Sequence, residues 1–126
     1  METMVPQEGI TPDRWIFVTI NDGKQIKSAI LSGWSGSYLY GGSWRLSSML
    51  EDVINVEEES AFFAKTTSGS AYVLPYSRIG TTADSASVLA NWMSQIEKES
   101  DMEIHSFASY EECELFCSRF QYEPKV

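Results

Sequence analysis

The hydrophobic pattern of this chain changes its period near residue 80, and this change limits the folds it can adopt. Before Ser77 the apolar residues fall in short runs separated by turn signals, which is typical of β-strands. Beyond it they recur at helical spacing. Strands that precede helices, rather than alternate with them, predict an α+β fold: a twisted, mainly antiparallel β-meander sheet packed by two late amphipathic helices.

The strand half of the sequence starts with a segment that is apolar on both faces. Residues 15–20 read W-I-F-V-T-I, as expected of a central strand. Residues 21–23, N-D-G, are a strong hairpin signal, and residues 24–31 return as the partner strand. Gly69 can take the left-handed position of a bulge in the loop 67–70. Further strands are predicted at 51–56, 60–66, 71–74 and, between the two helices, 102–107.

Each of the two predicted helices starts at a capping box, in which a Ser or Thr and an acidic residue three positions later satisfy free N–H groups. Thr81 with Asp84 fills these positions before the first helix, and Ser109 with Glu112 before the second. Apolar residues at helical spacing define the buried faces. They are Ala86, Leu89, Ala90, Trp92, Met93 and Ile96 on the first helix, and Tyr110, Cys113, Phe116, Cys117 and Phe120 on the second.

Length and composition indicate one globular domain. The chain has 126 residues, the usual size of a domain, and 43% of them are hydrophobic, which is enough for a core. Residues 1–12 lack periodicity and are expected to form a flexible N-terminal arm before a single α+β domain at residues 13–126. No run approaches the roughly 18 apolar residues of a membrane span. The start lacks the pattern of a secretory signal, so the expected location is the cytoplasm.

The net charge of −9 is concentrated in the second part of the chain. Residues 1–50 hold four acidic and four basic residues, whereas residues 51–126 hold fourteen acidic and five basic residues. A negative field repels nucleic-acid phosphates and anionic lipid surfaces. The charge therefore argues against direct DNA or RNA binding and against a membrane partner.

The chain has few thiol and imidazole groups that could bind a metal ion. Cys113 and Cys117 lie four positions apart on a predicted helix, a spacing that suits two core thiols better than a disulfide. His105 is the one histidine, and imidazole sites usually need a second histidine or a nearby thiolate. A three-ligand site built from these residues is the alternative to a structural role. No metal and no cofactor is predicted.

One segment comes close to the nucleophile-elbow motif, G-x-S-x-G, of hydrolases. Residues 33–37 read G-W-S-G-S, and the chain order Ser35, then Asp84 or Asp101, then His105 matches that of a hydrolase triad. The nucleophile elbow, however, needs a strand-to-helix turn on a large parallel sheet, and a β-meander is predicted here.

Two polar clusters also have simpler explanations than catalysis or ligand binding. Carboxylates at 51–52 and 57–59 would alternate in direction along a strand and so would not converge. In the segment 78–82, which precedes a helix, Thr81 is better explained as a cap than as part of an anion site. No catalytic residue is assigned, and the protein is predicted not to be an enzyme.

The segment 32–44 reads S-G-W-S-G-S-Y-L-Y-G-G-S-W and has the composition of a binding loop. Tyr and Trp supply large contact areas, while Ser and Gly supply adaptable hydrogen bonds. A tight turn at Gly41-Gly42 would place Leu39 opposite Trp44. In that hairpin Leu39, Trp44 and Leu46 share one face, and Tyr38, Tyr40 and Arg45 share the other.

This hairpin supplies the candidate binding site. The tryptophans have a structural alternative, since both could pack in the core, whereas an exposed Tyr-Tyr-Arg patch has interface composition. The predicted binding residues are Trp34, Tyr38, Tyr40, Trp44 and Arg45. The leading hypothesis is a non-enzymatic binding or adaptor protein whose partner is another protein or a second copy in a homodimer.

Two other functions fit the same sequence. A small-molecule binding protein would line an apolar pocket between sheet and helix with the rings of Trp34, Tyr38, Tyr40 and Trp44. An acidic inhibitor that mimics nucleic acid would carry the carboxylates of 51–59 and 97–114 in one continuous stripe.

In general character the chain resembles the uncharacterised small α+β proteins encoded as single genes on mobile elements such as integron gene cassettes. The resemblance covers the chain as a type. It implies an adaptor or modulator role, often in a homo-oligomer, and it transfers no functional residue.

Overall fold

The computed structural model describes residues 9–21, 23–37, 41–98 and 102–122. Within them, antiparallel strands precede two late α-helices, which confirms the α+β class. The strands are β1 (Arg14–Asn21), β2 (Ile26–Ser37), β3 (Gly41–Leu46), β4 (Leu50–Val56), β5 (Ala61–Thr66), β6 (Ala71–Pro75) and β7 (Glu103–Phe107). The helices are α1 (Ala83–Lys98) and α2 (Tyr110–Tyr122), and short 3-10 turns occupy Glu57–Glu59 and Tyr76–Arg78.

The strands divide between two sheets, whereas the sequence predicted one. Sheet 1 has the order β3-β2-β1-β7, and sheet 2 has the order β4-β5-β6. The chain passes from one sheet to the other at Ser47, whose N–H donates to the Ile30 carbonyl at 2.9 Å. A strand that is apolar on both faces needs a cover on each, and sheet 2 supplies one of the two covers of β1.

Strand β1 lies between two apolar layers. Trp15 and Phe17 point toward sheet 2 and α2, while Ile16 and Val18 point toward α1. The Trp15 and Phe17 rings meet Phe62 of β5 edge to face, both with centroids 5.7 Å apart. Such pairs add roughly 0.5–1.5 kcal/mol each beyond the area they bury. The core of the protein therefore forms around this strand.

The capping box and apolar stripe predicted for α2 are confirmed. The Glu112 N–H donates to Ser109 Oγ at 3.2 Å, and Glu112 Oε1 accepts a hydrogen bond from the Ala108 N–H at 2.9 Å. The stripe packs against β1 and sheet 2, with Cys113, Phe116 and Cys117 buried and Tyr110 and Phe120 half-buried.

The capping box of α1 consists of Thr82 and Ser85, one residue beyond the predicted Thr81 and Asp84. The Thr82 N–H donates to Ser85 Oγ at 2.9 Å, and the Ser85 N–H donates to Thr82 Oγ1 at 3.2 Å. The shift has a packing cause, because this cap lies directly on Gly33 of β2. A Cβ on Gly33 would lie 2.5 Å from Thr82 Oγ1 and 2.9 Å from Ser85 Oγ. Gly33 therefore allows helix docking.

The last residues of the predicted arm are paired with sheet 2. The Ile10 N–H donates to the Ala71 carbonyl at 2.8 Å, and the Val73 N–H donates to the Ile10 carbonyl at 2.9 Å. Pro12 is fully buried. Residues 1–8 lie outside the described residues, so the flexible arm stays a prediction for them alone.

Replacing Gly33 by Ala should destabilise the protein by about 1–3 kcal/mol, because the new methyl group overpacks the α1 cap. Urea denaturation followed by circular dichroism measures the loss. In a Thr82→Ala background, which removes the nearest atom, the same substitution should cost less. An equal cost in both backgrounds would contradict the proposed contact.

Candidate functional site

The aromatic segment forms the β2–β3 hairpin with a register that differs from the predicted one. Gly41 and Gly42 lie within β3 rather than in a turn, and Trp44 pairs with Gly33 rather than with Leu39. The reason is burial, since the observed pairing places a leucine of β2 beside a leucine of β3 under α1. Burying these two leucines stabilises the observed register more than a tight turn at Gly41-Gly42 would stabilise the predicted one.

The two tyrosines of the predicted patch, Tyr38 and Tyr40, lie outside the described residues, as does Leu39 between them. Their part in a binding surface stays a prediction.

The other three predicted site residues divide between the two faces of sheet 1. Trp44 faces α1, where its ring meets Trp92 edge to face with centroids 5.6 Å apart. By strand alternation Trp34 and Arg45 belong to the opposite face. On that face the positive charge of Arg45 acts on Tyr72 of β6. Burial raises the pKa of Tyr72, and Arg45 lowers it by a smaller amount. Trp34 and Trp44 therefore lie on opposite faces of sheet 1, an arrangement that does not favour one pocket lined by both rings.

Trp44 is the exposed tryptophan of the hairpin. The sequence placed it with Leu46 in the packing of the fold, and both do point toward α1. Leu46 is half-buried against the β1–β2 cluster, however, whereas Trp44 keeps 43% of its surface exposed. The physical reason is its place on an edge strand, which has a neighbouring strand in sheet 1 on one side only, and its ring meets Trp92 of α1. Sequence reasoning assigned Trp92 to helix packing alone and so missed this second role.

Strand β3 is one of the four edge strands of the two sheets in the described residues. The β6 edge is covered by Ile10, and β4 has two adjacent carboxylates and a register shift. Strand β7 exposes Glu103 and His105. Charges, bulges and covering segments are the usual protection of an edge. Strand β3 has a register shift in its pairing with β2 and a single charged residue, Arg45.

The charges of the protein are unevenly distributed over the fold. Strand β3 and helix α1 together are neutral, with Arg45 and Lys98 balanced by Asp84 and Glu97. Strand β4, the turn after it and α2 contain eight carboxylates and one basic residue, Arg119, a net charge of −7. Helix α2 packs on the face of sheet 1 opposite to α1. We call these the neutral side (β3 and α1) and the acidic side (β4, 57–59 and α2).

The stripe expected of a nucleic-acid mimic is only partly within the described residues. The acidic side contains the carboxylates of 51–59 and of α2, while residues 99–101 of the predicted stripe are not described. Mimicry stays a prediction.

An apolar pocket of about 230 Å³ opens between α1 and sheet 1. Trp92, Gln95 and Ile96 line it from the helix, and apolar side chains of β1, β3 and the β7 region line it from below. The pocket lies between sheet and helix, as in the small-molecule hypothesis, but the two described rings of the four, Trp34 and Trp44, are not part of its lining.

The residues of the hydrolase-like pattern are not brought together. Ser35 lies inside β2, His105 lies on β7, and β1 separates these two strands. Asp84 is in the first turn of α1, and Asp101 lies outside the described residues. The chain on both sides of Ser35 continues β2, so the strand-to-helix turn of a nucleophile elbow is not formed.

The two cysteines are free thiols in the core, as predicted for the second helix. Cys113 Sγ donates to the Phe107 carbonyl at 3.3 Å, and Cys117 Sγ donates to the Val53 carbonyl at 3.6 Å. Burial raises the pKa of Cys113 to about 12 and that of Cys117 to about 11, so both stay protonated at neutral pH. His105 is exposed, and no metal-binding group of three ligands occurs in the described residues.

A chain of polar side chains joins sheet 2 to α2. The Tyr76 hydroxyl donates to Asn55 Oδ1, Asn55 Nδ2 donates to the Tyr110 hydroxyl at 3.4 Å, and that hydroxyl donates to Glu114 Oε2 at 3.3 Å. Burial, reinforced by Tyr110 and nearby carboxylates, raises the pKa of Tyr76 to about 12. This series of hydrogen bonds links the elements of the acidic side to each other. No sequence pattern indicates it, because its members come from distant segments.

Comparisons of the chain with protein-family models, curated proteins and solved structures find no match. The resemblance to gene-cassette proteins therefore stays a prediction, and a function has to follow from the residues themselves. Of the helices in the described residues, neither is both long and apolar enough to cross a membrane.

Both thiols should resist modification in the native protein, because each is buried and has a raised pKa. With a disulfide reagent at pH 8, a native sample should show almost no reaction over minutes, and a sample in guanidinium should titrate two thiols. Reaction of either native thiol at the rate of free cysteine would disprove this assignment.

Proposed function

We propose that this protein is a non-enzymatic binding protein that joins a second copy of itself through the neutral side, and that the homodimer acts as an adaptor. The observation that carries the proposal is Trp44, which is 43% exposed on a sheet edge with one charged residue. Large aromatic side chains of this kind dominate the binding energy of protein interfaces. Met93 is a second exposed apolar residue of α1, with 38% of its surface exposed.

The charge distribution favours a second copy as the partner. Each chain has a net charge of −9, so two copies repel each other over most approaches. The acidic side, at −7, would bring like charges together. The neutral side avoids this cost, because β3 and α1 have no net charge. A basic partner would instead be attracted to the acidic side, far from Trp44.

The edge position of β3 supplies a mode of association. Antiparallel pairing of β3 with β3 of a second copy would double the four-stranded sheet 1 and place both α1 helices on the same face. This interface is self-complementary, as two-fold symmetry requires. In the dimer, N–H and C=O groups along the free edge of β3 would form hydrogen bonds with the second copy. In the monomer, these groups have only water as a partner.

Two further observations support a binding role in a reducing compartment. The potential nucleophiles Cys113 and Cys117 are buried and protonated, and Ser35 is separated from His105 by a strand. This arrangement favours binding over catalysis. Free thiols suit a reducing compartment, and the cytoplasm is the proposed location.

Replacing Trp44 by Glu should weaken self-association by about tenfold or more, because it removes the aromatic contact and adds like charge to the neutral side. Sedimentation equilibrium measures the dimer dissociation constant. The matched control is Leu115→Glu, which adds the same charge at an exposed leucine (49%) on α2 and should change little. A wild-type chain that stays monomeric, or equal effects of the two variants, would refute the proposal.

Salt should strengthen the dimer. Between about 50 mM and about 500 mM NaCl, screening reduces the repulsion between two chains of charge −9, while an interface without net charge loses little attraction. The dissociation constant should therefore fall as salt rises. An interface held by ion pairs between the acidic side and basic residues would show the opposite trend.

A further inference from the structure

The pocket under α1 is a place where apolar side chains converge without filling the space between them. Its floor is Ile20 of β1 and Ile104 of β7, which are paired residues of adjacent strands. Its wall is Trp92 and Ile96 of α1. All four are only half-buried, and the space between them measures about 230 Å³. Helix and sheet therefore leave a partly open apolar cavity at this end of sheet 1.

We propose that this pocket binds a compact, uncharged aromatic molecule of one or two rings. Size sets the upper limit, because pockets for drug-sized ligands measure about 300–1,000 Å³. A cavity of about 150 Å³ lined by aliphatic and aromatic side chains accommodates benzene. At about 230 Å³, the pocket has room for one or two fused rings.

The polarity of the lining selects against charged ligands. Among the described residues, those that line the pocket are not ionisable, so they offer no counter-ion to a buried charge. Gln95 is the polar residue among the described lining residues and is exposed. Its amide offers N–H donors and a carbonyl acceptor. A neutral polar group on the ligand would therefore be directed at Gln95.

Two lining residues favour an aromatic ring over an alkyl chain. The Trp92 indole offers a surface for offset or edge-to-face contact. Met102, just before β7, brings a flexible thioether that makes favourable contacts with ring edges and adapts to irregular shapes.

The pocket borders the proposed dimer interface, because Leu46 of β3 and Trp92 of α1 are part of its lining. Its floor, Ile20 and Ile104, lies on β1 and β7, away from the β3 edge where a second copy would pair. A second copy is therefore one outcome that the experiment has to distinguish from a small ligand. The proposal does not depend on self-association.

Indole is a suitable probe, and isoleucine methyl groups report where it binds. Titration of indole to about 2 mM should shift the methyl signals of Ile20, Ile96 and Ile104 in a saturable manner. The signals of Ile26, 64% exposed on β2, and Ile30, in the core on the opposite face, should stay in place. Indole-3-acetate and tryptamine, which add a negative and a positive charge, should each bind about tenfold more weakly or worse.

A pair of variants with the same substitution tests the site. Ile104→Trp should fill the pocket and abolish the indole shifts at Ile20 and Ile96, because the added volume enters existing space. Ile26→Trp, at an exposed position outside the pocket, should bind indole as the wild type does. If Ile104→Trp fails to fold, Met102→Trp tests the same filling from another wall.

Several results would overturn the proposal. One is the absence of saturable shifts at the pocket methyl groups. Others are equal shifts at Ile26, equal binding of the charged analogues, and undiminished binding by a folded pocket-filling variant. Pocket methyl signals that move with protein concentration and not with indole would assign the cavity to a second copy instead. Loss of dimerisation with intact indole binding would refute only the self-association.

Discussion

Strand β1 buries side chains on both of its faces, and each face requires its own cover. Trp15 and Phe17 are covered by sheet 2 and by Phe116 of α2, which stacks on Phe17 with ring centroids 4.4 Å apart. Ile16 and Val18 are covered by α1. One cover cannot serve both faces, so the chain must leave sheet 1 after β3, build sheet 2, and return through α1 to pair β7 with β1.

The way in which α1 covers its face leaves two features open. The start of the helix is fixed on Gly33, and Leu89 and Trp92 then reach the β1–β2 cluster. Trp44 of the edge strand contacts Trp92 of this helix and stays partly exposed. Toward the last turn of the helix, Ile96 borders the pocket without filling it. An exposed aromatic edge and a hollow thus follow from one 16-residue helix that covers a four-stranded sheet.

The parts of this fold that depend on local pattern could be predicted, and those that depend on distant contacts could not. The central strand, the α2 cap at Ser109 and the left-handed Gly69 follow from neighbouring residues, and the structure has all three. The division into two sheets and the register at Trp44 are set by burial between segments far apart in sequence. The same kind of long-range pairing decides that Trp34 and Trp44 lie on opposite faces of sheet 1, which the sequence pattern alone does not show.

Trp92 connects the exposed edge with the pocket. One part of its ring contacts Trp44, and its surface also lines the cavity. A ligand that stacks on Trp92 would restrict the motion of the ring that Trp44 contacts. A second copy that covers Trp44 would likewise restrict the motion of Trp92 in the pocket wall. Any such effect is reciprocal, because a coupling free energy between two binding events is the same in both directions. A single indole side chain would then make the assembly of this acidic protein responsive to a small neutral molecule.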